Sequence, residues 1–111
     1  MPIIANLQSA KLLDSETATV ISVTADATVQ TILAANDRGG GLLYNDTDKA
    51  CYVKFGTGAS STSFTAKLAP KDADGIGGYL SLGALRVYQG VVTAIWDASP
   101  TGAMRATEFP A

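Results

Sequence analysis

The sequence predicts an all-β fold: a single-domain β-sandwich, jelly-roll-like, with an N-terminal extension. Three observations predict it. Short runs rich in β-branched and aromatic residues recur along the chain, broken by Gly, Asn, Asp, Ser and Pro, and no long stretch carries a helical period. Where a run is long enough to judge, apolar and polar residues alternate, as they do on a strand with one face against a core. A chain of 111 residues that is 47% apolar has enough material for one core without metals or disulfides. Residues 1–16 read as an arm or short helix, and 17–111 as the sandwich domain.

The elements follow in order. "TATVISVT", Thr17 to Thr24, is the first strand, and "ATVQTIL", Ala27 to Leu33, the second. "AANDRGGG" reads as a loop whose glycines supply positive φ. "LLYN" is then a short strand and "DTDK" the turn after it. In "ACYVKF", Cys51, Val53 and Phe55 share one face while Tyr52 and Lys54 share the other. "GTGASST" connects to "SFTAKL", where Phe64, Ala66 and Leu68 alternate with Ser63, Thr65 and Lys67. These two strands offer matching apolar faces, as an antiparallel pair should. Pro70 lacks the N–H a ladder needs and ends the run. Beyond the polar break "KDADGIGG" come "YLSL", "LRVYQ", "VVTAIW" and "GAMRATEF", with Ser99-Pro100 marking a turn before the last. Both faces of "VVTAIW" are largely apolar, which places it centrally in a sheet or beneath another chain. Eight to nine strands in two packed sheets accommodate this pattern.

Composition narrows the function. Charged residues are only 16% of the chain, the net charge is −2, and the eight Lys and Arg are scattered from Lys11 to Arg105. Nucleic-acid binding needs a positive stripe to displace counterions, and none is present. No apolar run approaches the roughly 20 residues of a membrane span. The start "MPIIANLQSAKLL" has no charged region ahead of its apolar residues, unlike a signal peptide, and one cysteine forms no internal disulfide. The reading is a protein made and assembled in the cytoplasm, in which the sequon Asn45-Asp46-Thr47 is a chance match. The weakly charged polar surface suits broad contact with other protein.

Residues capable of chemistry are few. There is no histidine, so neither Cys51 nor Ser60 and Ser61 has the usual activating base. Cys51 sits on the apolar face of its strand and reads as a small buried hydrophobe. Lys54 and Lys67 flank the serine loop but fall on faces expected to be exposed, where a lysine is a poor base. "GTGASS" lacks the last glycine and the following helix of a dinucleotide site, and "RGGG" lacks the Lys-Ser/Thr ending of a phosphate loop. Asn45, Asp46 and Asp48, with Asp72 and Asp74 in "DADG", offer oxygens for calcium; solvated turns explain them better. Trp96 reads as core. Only if Tyr79, Tyr88 and Trp96 converged on one surface would they form a sugar platform. The residues therefore predict no catalytic, cofactor-binding or metal site.

The order of motifs is more informative than any one of them. An Ala-Asn loop with an arginine (Ala35 to Arg38) precedes a strand ending in Tyr-Asn (Leu43 to Asn45). A Tyr-Val-Lys strand then runs into Gly-x-Gly-Ala-Ser-Ser (Tyr52 to Ser61). Later come a Gly-hydrophobic-Thr-x-Ile-Trp strand (Gly90 to Trp96) and a closing Gly-Ala-x-Arg-x-Thr-Glu (Gly102 to Glu108). In this order the chain resembles small β-rich structural proteins of tailed bacteriophages, from about Thr31 to Phe109. It departs from the pattern at Lys71 to Leu85, where "KDADGIGGYLSLGAL" replaces an aromatic and proline-containing strand. Residues before about Glu16 lie outside the likeness.

The resemblance implies a virion component without enzymatic activity, foremost a capsid decoration or cement protein on the head surface. It would bind the phage major capsid protein and cluster as a homotrimer. The apolar residues Pro2, Ile3, Ile4, Leu7, Leu12 and Leu13 of the extension are the candidate capsid-contact arm. A neck, tail or fibre-base component is the alternative within the same class, and a carbohydrate-binding module for the host surface the alternative outside it.

Overall fold

A computed structural model describes residues 17–83 and 86–111. They form eight strands: β1 (Thr19–Thr24), β2 (Gln30–Leu33), β3 (Arg38–Thr47), β4 (Cys51–Phe55), β5 (Ala66–Leu68), β6 (Tyr79–Ser81), β7 (Val92–Trp96) and β8 (Gly102–Pro110). Two four-stranded antiparallel sheets result, in the orders β1-β8-β3-β6 and β2-β7-β4-β5. First pairs with last, second with seventh, third with sixth and fourth with fifth. That is a long hairpin rolled into a sandwich, the jelly-roll topology the sequence predicts. The arm residues Pro2, Ile3, Ile4, Leu7, Leu12 and Leu13 lie outside the described residues.

The core sits between the sheets. Leu43, Met104 and Ala106 from one sheet meet Ile32, Leu33, Cys51, Val53, Leu68, Val92, Ala94 and Trp96 from the other, all buried. Strand alternation places them there: on β4, Cys51 and Val53 point inward while Tyr52 and Lys54 point out. β7 is second in its sheet, with neighbours on both sides, and Val92, Thr93, Ala94 and Trp96 are all buried. This meets the expectation of a central strand with two apolar faces.

Four local expectations need correction. The glycines of "AANDRGGG" are not loop residues; β3 begins at Arg38 and runs through them, and none of Gly39, Gly40 and Gly41 has positive φ. They are needed for close approach instead. A Cβ on Gly41 would strike the Leu82 side chain, and one on Gly39 the Pro110 carbonyl. A bulge between Arg38 and Gly40 adjusts the β3–β8 register there. Asp46 and Thr47 belong to the same strand, so the "DTDK" turn starts later.

"SFTAKL" is a strand only from Ala66. Upstream, the Thr65 hydroxyl takes the Phe55 N–H at 2.9 Å, so a side chain replaces the ladder bond. Phe64 is exposed rather than inward, set edge-on to Tyr52 with ring centroids 5.2 Å apart. Finally, "LRVYQ" forms no strand over its described residues, Arg86 to Gln89. The carbonyls of Tyr88 and Gly90 are taken by the Arg38 guanidinium at 2.6 and 3.3 Å, which leaves them no ladder to join.

Candidate docking surface

The outer face of the β1-β8-β3-β6 sheet is the most apolar exposed feature of the described residues. Register decides which side chains reach it. Leu43, pairing with Ala106 on β8 and Leu80 on β6, faces the core, so Leu42 and Tyr44 on either side face out. Across the sheet, Val20, Thr107 and Leu42 lie in one row, and Ser22, Arg105, Tyr44 and Tyr79 in the next. Phe109 extends the face beside Gly40. Tyr79 is 72% exposed, Ile76 67% and Val20 66%, with Leu42 and Phe109 also exposed. On a strand such residues offer a flat, sticky surface, and a cluster of them marks contact with another protein more often than a lone exposed leucine does.

At the β6 end the face deepens into a groove of about 400 Å³ lined by Leu42, Tyr44, Gly75, Ile76, Gly77 and Tyr79. The Asp72–Ile76 loop shapes one wall. Asp72 accepts the N–H groups of Asp74 and Ile76 at 2.9 and 3.0 Å, and Gly75 supplies a φ of +80°. The Tyr44 hydroxyl donates to the Gly75 carbonyl and ties the loop to β3. Ile76 is thereby held out over the strand as a fixed apolar knob.

The other end of the face is charged. Asp46 accepts from Lys71 at 3.2 Å and from Arg105 at 3.0 Å, and Arg105 also donates to the Ser22 hydroxyl at 2.6 Å. The bonds from Lys71 and then Arg105 hold the Asp46 carboxyl below its ordinary range. The outer face thus has an apolar end and a polar end whose two cations share one carboxylate.

Beneath one corner lies a polar clamp that the sequence does not announce. The Arg38 side chain is fully buried. Its guanidinium donates to Glu108 at 2.7 Å and to the carbonyls of Tyr88, Gly90 and Ala34. Partial burial pushes the Glu108 carboxyl up, but hydrogen bonds from Arg38 and Asn36 and the Arg38 charge outweigh it, leaving the group below its ordinary range. One side chain therefore binds β8 to the chain before β3 and to the segment before β7.

The residues considered for chemistry are employed elsewhere. Cys51 is fully buried, and burial pushes its thiol up to about 12, far from a reactive thiolate. The Ser60 hydroxyl accepts the N–H of Ser63 at 2.9 Å, and Lys54 donates to the Ser63 hydroxyl rather than to Ser60 or Ser61. Lys67 lies over the Tyr52 ring at 5.3 Å.

Asn45 is not a turn residue but a buried hub. Its amide donates to the carbonyls of Lys49, Leu68 and Ala69, and its oxygen accepts from Thr47 and from the Trp96 indole at 3.1 Å. Asp48 caps the Thr101 N–H at 2.8 Å. The two acidic loops do meet, but through Lys71: its N–H donates to Thr47 and its ammonium to Asp46. Among the described residues no group of three or more Cys, Asp or Glu is placed to hold a metal ion. Tyr79, Tyr88 and Trp96 do not converge. Tyr79 is on the outer face, Tyr88 stacks on Phe55 at 4.7 Å, and Trp96 is in the core.

Comparison of the chain with protein-family models, curated proteins and solved structures finds no match.

Proposed function

We propose that this protein is a non-enzymatic structural component of a tailed-phage virion, a decoration protein that docks on the assembled head and stabilises it. The observation that carries the proposal is the apolar outer face of the β1-β8-β3-β6 sheet, with Tyr79 and Ile76 raised beside a groove. Jelly rolls serve viral shells and sugar-binding domains alike, so the fold does not decide between them. The order of motifs from Thr31 to Phe109 favours the virion. The engagement of Cys51, Ser60 and Lys54 in packing and local hydrogen bonds supports a mechanical role over a catalytic one.

The mechanism is linkage. A ligand that binds the assembled lattice more tightly than the free subunit shifts the balance toward the lattice, by an amount set by its concentration relative to its dissociation constant. A rigid sandwich suits this, because a face already ordered loses little conformational entropy on docking. The capsid protein is the proposed partner and the head surface the proposed location. The test is to add purified protein to shells that lack it. Saturable binding in hundreds of copies with a raised shell melting temperature is expected. A few tens of copies or fewer per particle would move the protein to the neck, tail or fibre base, and no binding would end the proposal.

A further inference from the structure

A sandwich of two open sheets has four edge strands, here β1, β6, β2 and β5. Open edges invite pairing with other chains, and proteins commonly blunt them with shortness, bulges or charge. Three of these four are blunted. β6 has three residues, β5 has three and carries Lys67, and β2 has four with a register break between Thr31 and Leu33. β1 is different. It has six residues, TVISVT, without charge, proline or bulge, and its register with β8 is unbroken. Among the described residues nothing pairs with its far side.

The phase of the ladder tells which backbone groups are open. The Ala25 N–H donates to the Gly102 carbonyl at 3.1 Å. In an antiparallel pair bonded residues alternate with unbonded ones. Stepping back by twos, Val23, Ile21 and Thr19 bond to β8, while Thr24, Ser22 and Val20 turn their N–H and C=O groups to the open edge. The strand is also close to a palindrome about Ser22: Val20 balances Thr24, and Ile21 balances Val23.

We infer that β1 is a self-pairing edge, on which a second copy of this chain adds its own β1 antiparallel across a two-fold axis at Ser22. In that register Val20 faces Thr24, Ser22 faces Ser22 and Thr24 faces Val20 of the second copy, and all six open N–H groups find carbonyls. The parity is right on both faces. Ile21 and Val23, half-buried on the inner side, lie opposite each other, and Val20 and Thr24 meet on the outer side. A register shifted by one residue would put inner side chains against outer ones. No charge lies in the contact, and Arg105 beside Ser22 is already held by Asp46. The product is one continuous eight-stranded sheet whose outer face joins the two apolar surfaces.

A contact about 20 Å long and about 10 Å thick shields roughly 200 Å² on each copy, about 400 Å² in total, below the roughly 1,200 Å² of stable complexes. The pair is therefore a weak, concentration-dependent dimer. This inference does not rest on the shell-binding reading, and its two-fold contact differs from the three-fold cluster that the resemblance implies.

The test uses the full chain. Sedimentation equilibrium from about 10 µM to about 1 mM should show the mass rising from one copy toward two. Amide exchange of Val20, Ser22 and Thr24 should slow by tenfold or more as it rises. Ser22→Pro, which removes no backbone bond to β8 and only the exposed hydroxyl's bond from Arg105, should hold the mass at one copy with a melting temperature lowered by no more than a few degrees. Ser22→Cys should form a disulfide-linked dimer under mild oxidation at least tenfold faster than the control Thr28→Cys, an exposed residue outside the strand. The buried Cys51 thiol does not compete. A monomer at every concentration with no preferential crosslinking at position 22 would overturn the inference. So would a trimer, or a dimer that Ser22→Pro leaves intact.

Discussion

Removing Arg38 tests the physical account of the fold most severely. The side chain is fully buried and donates to one carboxylate and three carbonyls, at 2.7 Å to Glu108, 2.6 Å to Tyr88, 3.3 Å to Gly90 and 2.7 Å to Ala34. Arg38→Ala leaves Glu108 without its main partner, three carbonyls without donors, and a void. Breaking a buried ion pair from one side costs about 3–5 kcal/mol. Each orphaned carbonyl that water does not reach adds about 1–3 kcal/mol. Domains of this size are stable by only about 5–15 kcal/mol, so the variant should approach the limit of folding. At about 4–8 °C per kcal/mol, its melting temperature should fall by at least about 15 °C. Arg38→Lys keeps the charge but not the planar fork, and one ammonium does not reach all four acceptors. It should cost about 2–3 kcal/mol, on the order of half the alanine effect. Urea unfolding read by Trp96 fluorescence is the assay, since this single tryptophan is buried against Asn45. A cost below about 1 kcal/mol for Arg38→Ala, or a lysine variant equal to wild type, would refute the clamp.

Other outcomes follow from the same geometry. Glu108 has a folded pKa held below its ordinary 4.5, so its stabilising contribution is complete above about that pH and is lost as pH falls through the lower folded value. Glu108→Gln should flatten that part of an acid unfolding curve. At pH 8 the Cys51 thiol should react with a disulfide reagent only as fast as the protein opens, and at an ordinary rate in urea, because burial has raised it to about 12. Gly41→Ala should destabilise by about 1–3 kcal/mol through its clash with Leu82, seen as a lower urea midpoint at unchanged slope. Tyr79→Ser with Ile76→Ser should leave stability within about 0.5 kcal/mol, both residues being exposed, yet weaken shell binding by tenfold or more.

What the sequence discloses depends on how local the cause is. β4 is legible because Cys51 and Val53 alternate with Tyr52 and Lys54, and alternation is a nearest-neighbour signal. β7 is legible for a different local reason, a nearly continuous apolar run whose two apolar faces announce a central place. The start of β3 is not, because three glycines in a row look like a loop. Their reason for being there is the proximity of Leu82 and Pro110, which are distant in sequence. Arg38 next to those glycines likewise looks solvated. Its acceptors are spread from Ala34 to Glu108, and only the rolled topology gathers them. Asn45 looks like a turn residue for want of the same information, and becomes a hub because β3 continues past it. Of the docking face, Tyr79 stood out as an aromatic, but Ile76 reads as part of a polar loop until the Asp72 cap and the Tyr44 hydroxyl hold it over the strand.

Adhesion to a larger shell, the role proposed for this sandwich, can be read from the shell itself. Differential scanning calorimetry of purified heads lacking the protein, with and without added wild type or the Tyr79→Ser, Ile76→Ser double variant, tests it most directly. If the sandwich stabilises the shell through this face, the shell transition should rise with wild-type concentration to saturation, and rise far less with the variant at equal concentration. A shell transition that does not move, or moves equally with both proteins, would contradict it.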